Sequence, residues 1–283
     1  MINIRAYAKL NLTLDIAGVS GGFHMLDSLV CTVDLYDLIK LKKRKDGNIN
    51  LEMHGLNTEL MPLESNNAYR AAQAYINKFN TCGADISIFK NIPLAAGMGG
   101  SSADAAGVLR GLARLYGRGS ETELKELADS LGSDTGYMLT GGFARLNGRG
   151  EKVELLDIKE KLNLLALIPN KGVSTAECYS LYDKLPSPSE ATEKAVTALK
   201  TGNLPALGKS LSNALYMPAA GICESVKRAY EELEEFDPLG VTMTGSGSAV
   251  IALFENAEFA AYAKSRYRGK FKAIQLKTIT PKI

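Results

Sequence analysis

The sequence predicts an α+β protein of two domains, and three observations support this prediction. The chain has 283 residues, of which 46% are hydrophobic and 23% are charged. This length and composition suit one large or two medium globular domains. Segments that alternate apolar and polar residues, as strands do, are interspersed with segments of helical periodicity. The composition also changes near residues 157–161, so we expect one domain over residues 1–158 and a second over residues 159–283.

The first domain is predicted to open with a half-buried strand over residues 6–16. Alanine, leucine and isoleucine occupy every second position there, which is the period of a strand with one buried face. This geometry places Lys9 and Asn11 next to each other on the opposite face. Glycines between residues 18 and 22 are expected to end the strand. The same patterns predict strands over residues 29–42, 49–53 and 85–92, and a helix over residues 67–79.

The remainder of the first domain is predicted to hold two helices and a hairpin. Small and apolar residues over 101–116 predict a helix that stops at Gly117, because glycine is common just after a helix end. The Ser-x-x-Glu pattern at residues 120–123 matches a capping box and predicts a helix that ends at Gly132. A tight turn is expected over residues 133–136, and the two hairpin strands over residues 143–146 and 152–155.

The second domain is predicted to be a ferredoxin-like α+β unit. The order of its segments is strand, helices, strand, strand, helix, strand, which is typical of that arrangement. The predicted strands cover residues 164–168, 241–243, 249–254 and 272–278, and the predicted helices lie between 175 and 236 and over 257–267.

Composition argues against several classes of protein. The formal net charge is +2, so no strongly basic surface for nucleic acid is expected. The four cysteines are scattered and only two histidines accompany them, so a zinc site is not expected and a reducing, cytoplasmic location fits best. No apolar run approaches the ~20 residues that cross a bilayer, and no secretory leader opens the sequence, so we expect no membrane partner.

The most informative segment is the glycine-rich loop between the strand that ends near residue 92 and the helix that begins near residue 101. Its glycines allow the backbone to approach a ligand closely, and the first N–H groups of the helix have no intrahelical partner and can bind an anion. The segment therefore predicts phosphate binding. It lacks the lysine of a P-loop, and Ser102 replaces the last glycine of the dinucleotide fingerprint. Taken alone, the loop is equally consistent with a flexible turn followed by a serine cap.

Lys9 and Asp134 are the candidates for catalysis. A kinase that acts on an alcohol needs a group that orients the hydroxyl or accepts its proton, and a cation that stabilises charge nearby. Taken singly, an exposed lysine is usually solvated and an aspartate in a turn usually caps that turn. The pair becomes informative only together with the loop.

Four further stretches accompany the loop: A-K-L-N-L-x-L from Ala8, G-F-H-x-L-x-S from Gly22, G-x-G-E from Gly148 and V-S-T-A-E-x-Y from Val173. With them, the chain resembles the superfamily of galactokinase, homoserine kinase, mevalonate kinase and phosphomevalonate kinase, the GHMP kinases. It is most similar to the branch that serves non-mevalonate isoprenoid synthesis. The resemblance implies a nucleotide domain like the second domain of ribosomal protein S5, a ferredoxin-like domain after it, and a site between them.

The resemblance also implies a reaction and a role for individual residues. It implies phosphorylation of a hydroxyl on a cytidine-diphosphate-linked tetritol with ATP and Mg²⁺, by a monomer or weak homodimer. No metal ligand is assigned, because the ATP phosphates would hold most of the Mg²⁺. The implied catalytic residues are Lys9 and Asp134. The implied ATP-binding residues are Asn67, Lys90, Pro93, Gly97, Gly99, Gly100, Ser101 and Ser102, and the implied substrate-binding residues are Asn11, Phe23, His24, Thr175, Gly245 and Ser246.

Two departures from the family pattern leave alternatives open. Gly21 and Phe23 stand where the family usually has aspartate and tyrosine, so a polar contact to the substrate is lost while ring stacking is retained. One alternative is a GHMP-type kinase for another small alcohol, such as mevalonate or a sugar. The other is a non-catalytic relative that binds nucleotides, or a nucleic-acid module built on the same fold.

Overall fold

The computed structural model describes residues 1–55, 62–187 and 189–281. The strands in these ranges are β1 (Ile2–Asn11), β2 (Thr13–Ser20), β3 (Phe23–Lys43), β4 (Asn50–Gly55), β5 (Ala84–Lys90), β6 (Phe143–Gly148), β7 (Lys152–Leu156), β8 (Asn163–Ile168), β9 (Ser212–Asn213), β10 (Gly240–Met243), β11 (Val250–Phe254) and β12 (Lys272–Lys277). The α-helices are α1 (Asn67–Phe79), α2 (Gly100–Tyr116), α3 (Glu121–Leu131), α4 (Thr135–Thr140), α5 (Thr175–Tyr182), α6 (Ala191–Lys200), α7 (Leu204–Lys209), α8 (Tyr216–Ile222), α9 (Glu224–Glu234) and α10 (Ala257–Arg266). A single 3₁₀ turn, Leu63–Ser65, precedes α1 in the described ranges.

The long strand β3 organises the N-terminal sheet. It pairs antiparallel with β1, β2, β5 and β6 along its length, while β4 adds to β5 and β7 adds to β6. Its central residues from Leu29 to Val33 are fully or almost fully buried. The end of β1 and the beginning of β6 therefore lie on either side of the same part of β3.

The predicted single strand over residues 6–16 is wrong in two respects. It is two strands, because a bend at Leu12 interrupts the regular strand geometry. Both strands pair antiparallel with β3, and the Leu12 N–H donates to the Leu29 carbonyl at 2.8 Å between them. It is also buried on both faces from Ala8 to Ile16, since α2 covers β1 on one side, and α6 and β9 pack against β2. The alternation therefore predicted the strand conformation correctly, but the expectation that its polar face is exposed was wrong.

The glycines that were expected to end this strand form a hairpin. β2 continues to Ser20 with a bulge near Gly18, and Gly21 and Gly22 make the turn into β3 with φ of 58° and 79°. These left-handed values favour glycine. Gly21, which stands where the family usually has aspartate, therefore suits the turn.

The helices of the N-terminal half confirm the predictions from local pattern. α1 has the predicted bounds, α2 ends at a left-handed Gly117, and the capping box at Ser120 opens α3. α2 packs closely on the sheet, since a Cβ at Gly107 would lie 2.6 Å from Ile39 Cδ1. The predicted turn over residues 133–136 is correct only in its first half, because α4 already begins at Thr135.

The C-terminal half is a four-stranded antiparallel sheet in the order β10-β11-β8-β12, with helices packed against it. This agrees with the predicted α+β arrangement. β9 was not predicted, since its two residues are too short for a periodic pattern. It pairs parallel with β2, and thereby joins the two halves. None of the described helices is long and apolar enough to span a membrane.

Candidate active site

Lys9 and Asp134 meet where β1, α4 and the glycine loop converge. The Lys9 Nζ lies 3.5 Å from an Asp134 Oδ, and the two side chains are 6% and 34% exposed. Lys9 Nζ also donates a hydrogen bond to Asn11 Oδ1. The Lys9 N–H donates to the Met98 carbonyl at 3.0 Å, which fastens β1 to the glycine loop. The three side chains predicted at the reacting end of the substrate are thus brought together.

The Asp134 carboxylate retains free acceptor capacity. It precedes α4, yet it makes no capping hydrogen bond to that helix. In the part of the chain that the structure describes, Lys9 is its salt-bridge partner. A partly exposed carboxylate beside one ammonium group suits a residue that accepts a proton from a bound hydroxyl.

The glycine loop has the backbone geometry of a ligand cradle. Gly97 and Gly99 both have φ of 72°. A Cβ at Gly97 would lie 2.0 Å from the Thr244 carbonyl oxygen, and a Cβ at Gly99 would lie 2.3 Å from Met138 Cε. α2 then begins at Gly100 with no side-chain cap at its N terminus. The alternative of an ordinary serine cap is therefore wrong, and the first N–H groups of α2 remain available for an anion.

Two predicted ATP-binding residues flank the loop. Asn67, the first residue of α1, donates from Nδ2 to Ser101 Oγ at 3.0 Å, so the starts of α1 and α2 lie side by side. Pro93 is half-buried just before the loop. Ser101 itself is exposed and Ser102 is half-buried. These residues surround the space in front of α2.

Lys90 differs from its prediction. Its side chain is 3% exposed, and its Nζ bonds to Asp37 and, at 2.5 Å, to Asp104 Oδ2. Burial lowers the pKa of Lys90, but the two carboxylates outweigh burial and raise it overall. Such a buried, paired ammonium is not presented to a ligand. This argues against the predicted direct contact with ATP and places Lys90 underneath the loop, where a Cβ on Gly100 would lie 3.6 Å from its Nζ.

The partners of Lys90 hold both arms of the loop. Asp37 Oδ1 accepts the N–H groups of Asn91 at 2.6 Å and Ile92 at 2.8 Å, just before the loop. Asp104 belongs to α2, just after the loop. Burial raises the pKa of Asp104, although Lys90 opposes the shift. The triad of Lys90, Asp37 and Asp104 was not expected, because its members are distant in sequence and each looks like an ordinary surface charge.

The turn between β10 and β11 closes the site from the other half of the chain. Thr244 Oγ1 accepts the Asn11 N–H at 2.9 Å and donates to the Gly97 carbonyl at 3.2 Å. A Cβ at Gly245 would lie 2.9 Å from the Gly97 carbonyl oxygen. The hydroxyls of Ser246 and Thr175 lie 2.7 Å apart. The predicted residues Gly245, Ser246 and Thr175 are therefore assembled next to the glycine loop.

Two residues that support this turn were missed. Thr244 is fully buried and directly precedes the Gly-Ser-Gly-Ser stretch, so its position was visible in the sequence but its contacts were not. Asn213 donates from Nδ2 to the carbonyls of Met243 at 2.7 Å and Gly245 at 2.8 Å. No local signal identified Asn213, because its place depends on the pairing of β9 with β2.

At the tip of the β2–β3 hairpin, Phe23 and His24 point in different directions. The His24 ring stacks on Tyr179 with centroids 4.5 Å apart, and its Nε2 lies 2.6 Å from Asp183 Oδ1. Phe23 is 53% exposed and its ring lies under the guanidinium of Arg149, at 4.6 Å from the ring centroid. Tyr179, Asp183 and Arg149 were not predicted, although Tyr179 ends the V-S-T-A-E-x-Y stretch and Arg149 lies within the G-x-G-E stretch.

A continuous series of contacts connects the hairpin tip to the glycine loop. Phe23 contacts Arg149, and a Cβ on the following residue, Gly150, would lie 3.8 Å from Asp134 Oδ1. Asp134 pairs with Lys9, whose Cγ would lie 3.0 Å from a Cβ on Gly99. The aromatic cluster at the hairpin tip, the charged pair and the glycine loop are therefore neighbours in that order.

Comparison with known proteins agrees with this geometry. Residues 66–144 match the GHMP kinases N terminal domain, and residues 195–273 match the GHMP kinases C terminal model. The chain is 37% identical to 4-diphosphocytidyl-2-C-methyl-D-erythritol kinase of Caldicellulosiruptor saccharolyticus, with 97% of this chain and 96% of the relative covered. It is 35% identical to the protein of that name from Clostridium tetani, with 98% and 100% covered.

Solved structures show the same relationship. A crystal structure of 4-(cytidine 5'-diphospho)-2C-methyl-D-erythritol kinase superposes with a TM-score of 0.81 at 30% identity, covering 98% of each chain. A homoserine kinase from Cytophaga hutchinsonii superposes with a TM-score of 0.75 at 18% identity, covering 98% of this chain and 95% of that one, which shows the shared fold. The chain is a small-molecule kinase of the GHMP superfamily and belongs to the 4-diphosphocytidyl-2-C-methyl-D-erythritol kinase family.

Proposed function

We propose that this kinase transfers the γ-phosphoryl group of ATP to a hydroxyl of 4-diphosphocytidyl-2-C-methyl-D-erythritol, a step of non-mevalonate isoprenoid synthesis. The observation that carries the proposal is the Lys9–Asp134 pair beside the glycine loop. A proton acceptor, a cation and a phosphate cradle are the groups that alcohol phosphorylation requires.

In this mechanism the substrate hydroxyl binds next to Asp134. Its oxygen forms a bond to the γ-phosphorus while the bond from that phosphorus to the β,γ-bridging oxygen breaks, and ADP leaves with those electrons. The hydroxyl proton passes to the Asp134 carboxylate. Lys9 orients Asp134 and Asn11, and its ammonium group stabilises negative charge on the transferring group. Because such transition states are loose, most of the contribution of both residues is positioning and electrostatic stabilisation.

The residues at the glycine-rich end suit ATP. The backbone of Gly97, Gly99 and Gly100 would lie along the phosphates, and the start of α2 would face their negative charge. Asn67 and Pro93 would flank the nucleotide. Lys90 would act from below, by holding the loop in shape.

Mg²⁺ is expected to enter with ATP. The hydroxyls of Ser101 and Ser102 and the Asp134 carboxylate are oxygen donors, which this ion prefers, and Mg²⁺ usually needs few protein ligands beside phosphate. Within the described residues, no group of three or more His, Cys, Asp or Glu is arranged to hold a metal alone, so the phosphates would supply the remaining ligands. When bound, the ion would neutralise charge on the phosphates.

The aromatic side chains at the hairpin tip favour a substrate that carries a nucleobase over a small alcohol without one. His24, Tyr179 and Tyr182 cluster there, with His24 and Tyr182 in an edge arrangement at 6.2 Å. Phe23 adds an exposed ring face. Such rings bind a flat base by stacking, whereas mevalonate or a simple sugar has no group that would use them.

The direct test is turnover of purified protein with Mg-ATP and 4-diphosphocytidyl-2-C-methyl-D-erythritol. We expect one ADP per product, and a product heavier by one phosphoryl group in mass spectrometry. Mevalonate, homoserine and galactose serve as competing alcohols under the same conditions. Faster turnover of any of these three would overturn the substrate assignment. Absence of alcohol-dependent ADP release with all four alcohols, the proposed substrate included, would overturn the proposed reaction.

The domain boundary between residues 158 and 159 and the oligomeric state remain proposals. The boundary lies in the connection between β7 and β8. We propose a monomer or weak homodimer that does not bind nucleic acid. Light scattering after size-exclusion chromatography at several protein concentrations would measure the mass, and a tight dimer at all concentrations would contradict this proposal.

A further inference from the structure

Arg149 occupies the turn between β6 and β7, between the aromatic cluster at the hairpin tip and the Lys9–Asp134 pair. Gly148 pairs with Leu26 in the β3–β6 ladder, which places this turn beside the first residues of β3. The Arg149 guanidinium lies 4.6 Å from the centroid of the Phe23 ring. An arginine over an aromatic face keeps its N–H donors at the edge available, while the cation–π contact restricts its motion.

Two glycines and two hydrogen bonds hold the backbone of this turn in place. Gly148 and Gly150 have φ of 70° and 109°, values that favour glycine. The Gly150 N–H donates to the Asn147 carbonyl at 3.1 Å. Glu151 accepts the Arg149 backbone N–H at 2.6 Å through Oε2. The nearest carboxylate in sequence is therefore bound to the backbone.

The Arg149 guanidinium forms no salt bridge within the described ranges of the chain. Arg145, on the preceding strand β6, provides the contrast, since it binds Asp27 at 2.7 Å and Glu193 at 2.6 Å. Arg149 is also exposed. A positioned arginine with unused donors beside the proposed substrate site is suited to bind phosphate oxygens, often through two N–H groups at once.

The position of Arg149 determines which part of a ligand it would meet. On one side it contacts Phe23, and on the other its neighbour Gly150 approaches Asp134. A ligand with its base at Phe23 and His24 and its reacting hydroxyl at Asp134 must pass Arg149 between these groups. In a cytidine-diphosphate-linked alcohol, the part between base and alcohol carries the diphosphate. We propose that Arg149 binds this diphosphate and is a specificity-determining residue, an inference that rests on the proposed function.

Binding of ligand fragments tests the inference. Cytidine and CDP would be titrated calorimetrically into the wild type, R149A, R149Q and R149K, with a non-hydrolysable ATP analogue present to fill the ATP site. Loss of a charged hydrogen-bonding group costs ~1.5–3 kcal/mol, or about ten- to hundredfold in affinity. We expect this loss for CDP in R149A and R149Q, intermediate binding in R149K, and unchanged binding of cytidine in all variants.

Arg228 provides the matched control, because it is exposed on α9 and forms no salt bridge within the described residues. We expect R228A to bind CDP like the wild type. In turnover, R149A should raise KM for the cytidyl-linked substrate about ten- to hundredfold and change kcat by less than about threefold, since Arg149 lies away from the transferred group. Melting temperatures would verify that all variants fold.

The possible outcomes distinguish failure of the inference about Arg149 from failure of the proposed function. Equal loss of cytidine and CDP binding in R149A would mean that Arg149 only supports the Phe23 ring, and would overturn the inference. Unchanged CDP binding in R149A and R149Q would also overturn it, while leaving the proposed function intact. Failure of the wild type to bind any cytidine ligand would overturn both.

Discussion

The Lys9 ammonium lies 3.5 Å from the Asp134 carboxylate, although the two residues come from β1 and from the start of α4. Lys9 lies near the end of the ten-residue strand β1, whereas Asp134 lies in the short turn before α4. The glycine loop fixes Lys9 through the hydrogen bond to Met98, and the turn after α3 presents Asp134. The distance between the two groups therefore depends on how the glycine loop, β1 and the turn after α3 pack together.

The first prediction concerns this pair. D134N and K9A should each lower kcat about 10²–10⁴-fold, because a proton acceptor or the cation that orients it is lost. Steady-state kinetics with the proposed substrate would measure the loss, and circular dichroism would verify the fold. The control is the exposed pair Lys125–Asp129 on α3, with Nζ and Oδ2 2.6 Å apart. Near-normal kcat in D134N, or an equal loss in K125A, would contradict the catalytic assignment.

The second prediction concerns the close approach of the two turns. In G97A the new methyl group would meet the Thr244 carbonyl oxygen at 2.0 Å, so the loop must move. G117A is the matched control, because Gly117 has a similar φ of 67° but a Cβ there would meet nothing within 4 Å. G117A should cost only the left-handed strain of ~1–2 kcal/mol.

We expect G97A to lose more free energy of unfolding than G117A, and at least about tenfold in affinity for an ATP analogue. G117A should retain normal ATP affinity. Urea unfolding and calorimetric titration would measure these two quantities. Similar behaviour of the two variants in both measurements would show that the close contact of Gly97 with Thr244 does not shape the ATP site.

The third prediction concerns the buried triad beneath the loop. Burial raises the pKa of Asp104 above its ordinary value of 3.8, so the folded protein binds a proton there more tightly than the unfolded chain does. The contribution of Asp104 to stability is therefore fully present below pH 3.8. It decreases as the pH rises from there to the raised folded pKa, with a slope of at most ~1.4 kcal/mol per pH unit.

D104N removes this titration and should flatten the dependence of unfolding free energy on pH between weakly acidic and neutral solution. Urea unfolding of the wild type and D104N at a series of pH values would measure the difference. D129N is the control, because within the described residues the salt-bridge partner of Asp129 is the exposed Lys125 on α3. A slope that is the same in D104N and in the wild type would contradict the assigned pKa shift.

Local pattern predicted α1, α2, α3, α10 and several strands, because their causes are local, whereas α4 was not predicted. Asn66 is the N-cap of α1, and a capping box opens α3. Both signals lie within a few residues of the helix start. The hairpin of β6 and β7 followed from alternation around a glycine-rich turn. A short stretch of sequence is therefore enough to predict these elements.

The errors come from contacts that are distant in sequence. The polar face of β1 is buried by the glycine loop, which lies against Lys9, and by the turn that holds Thr244, which contacts Asn11. Lys9 and Asn11 could therefore be placed on one face but not recognised as buried. Lys90 was expected to bind ATP, and its burial between two carboxylates could not be foreseen, since these partners lie on β3 and α2. Arg149 and Asn213 were invisible as site residues, because their positions depend on strand pairing between separate segments.

The fourth prediction concerns the link between the two halves of the site. The Thr244 hydroxyl accepts the Asn11 N–H at 2.9 Å and donates to the Gly97 carbonyl. T244V keeps the size of the side chain but leaves the Asn11 N–H buried without its acceptor, which costs ~1–3 kcal/mol. Asn11 also holds Lys9 through Oδ1, so we expect kcat to fall about tenfold as Lys9 loses its fixed position.

T242V is the matched control for T244V. Thr242 is also buried, but its hydroxyl makes only a long 3.5 Å bond to the Met243 carbonyl. We expect T242V to lose less than about 1 kcal/mol of unfolding free energy and to keep normal kcat. Denaturant unfolding and steady-state kinetics on both variants would decide the matter. If T242V and T244V lost stability and kcat equally, general repacking of the second sheet would explain the effect, and Thr244 would have no special role in coupling Asn11 to the glycine loop.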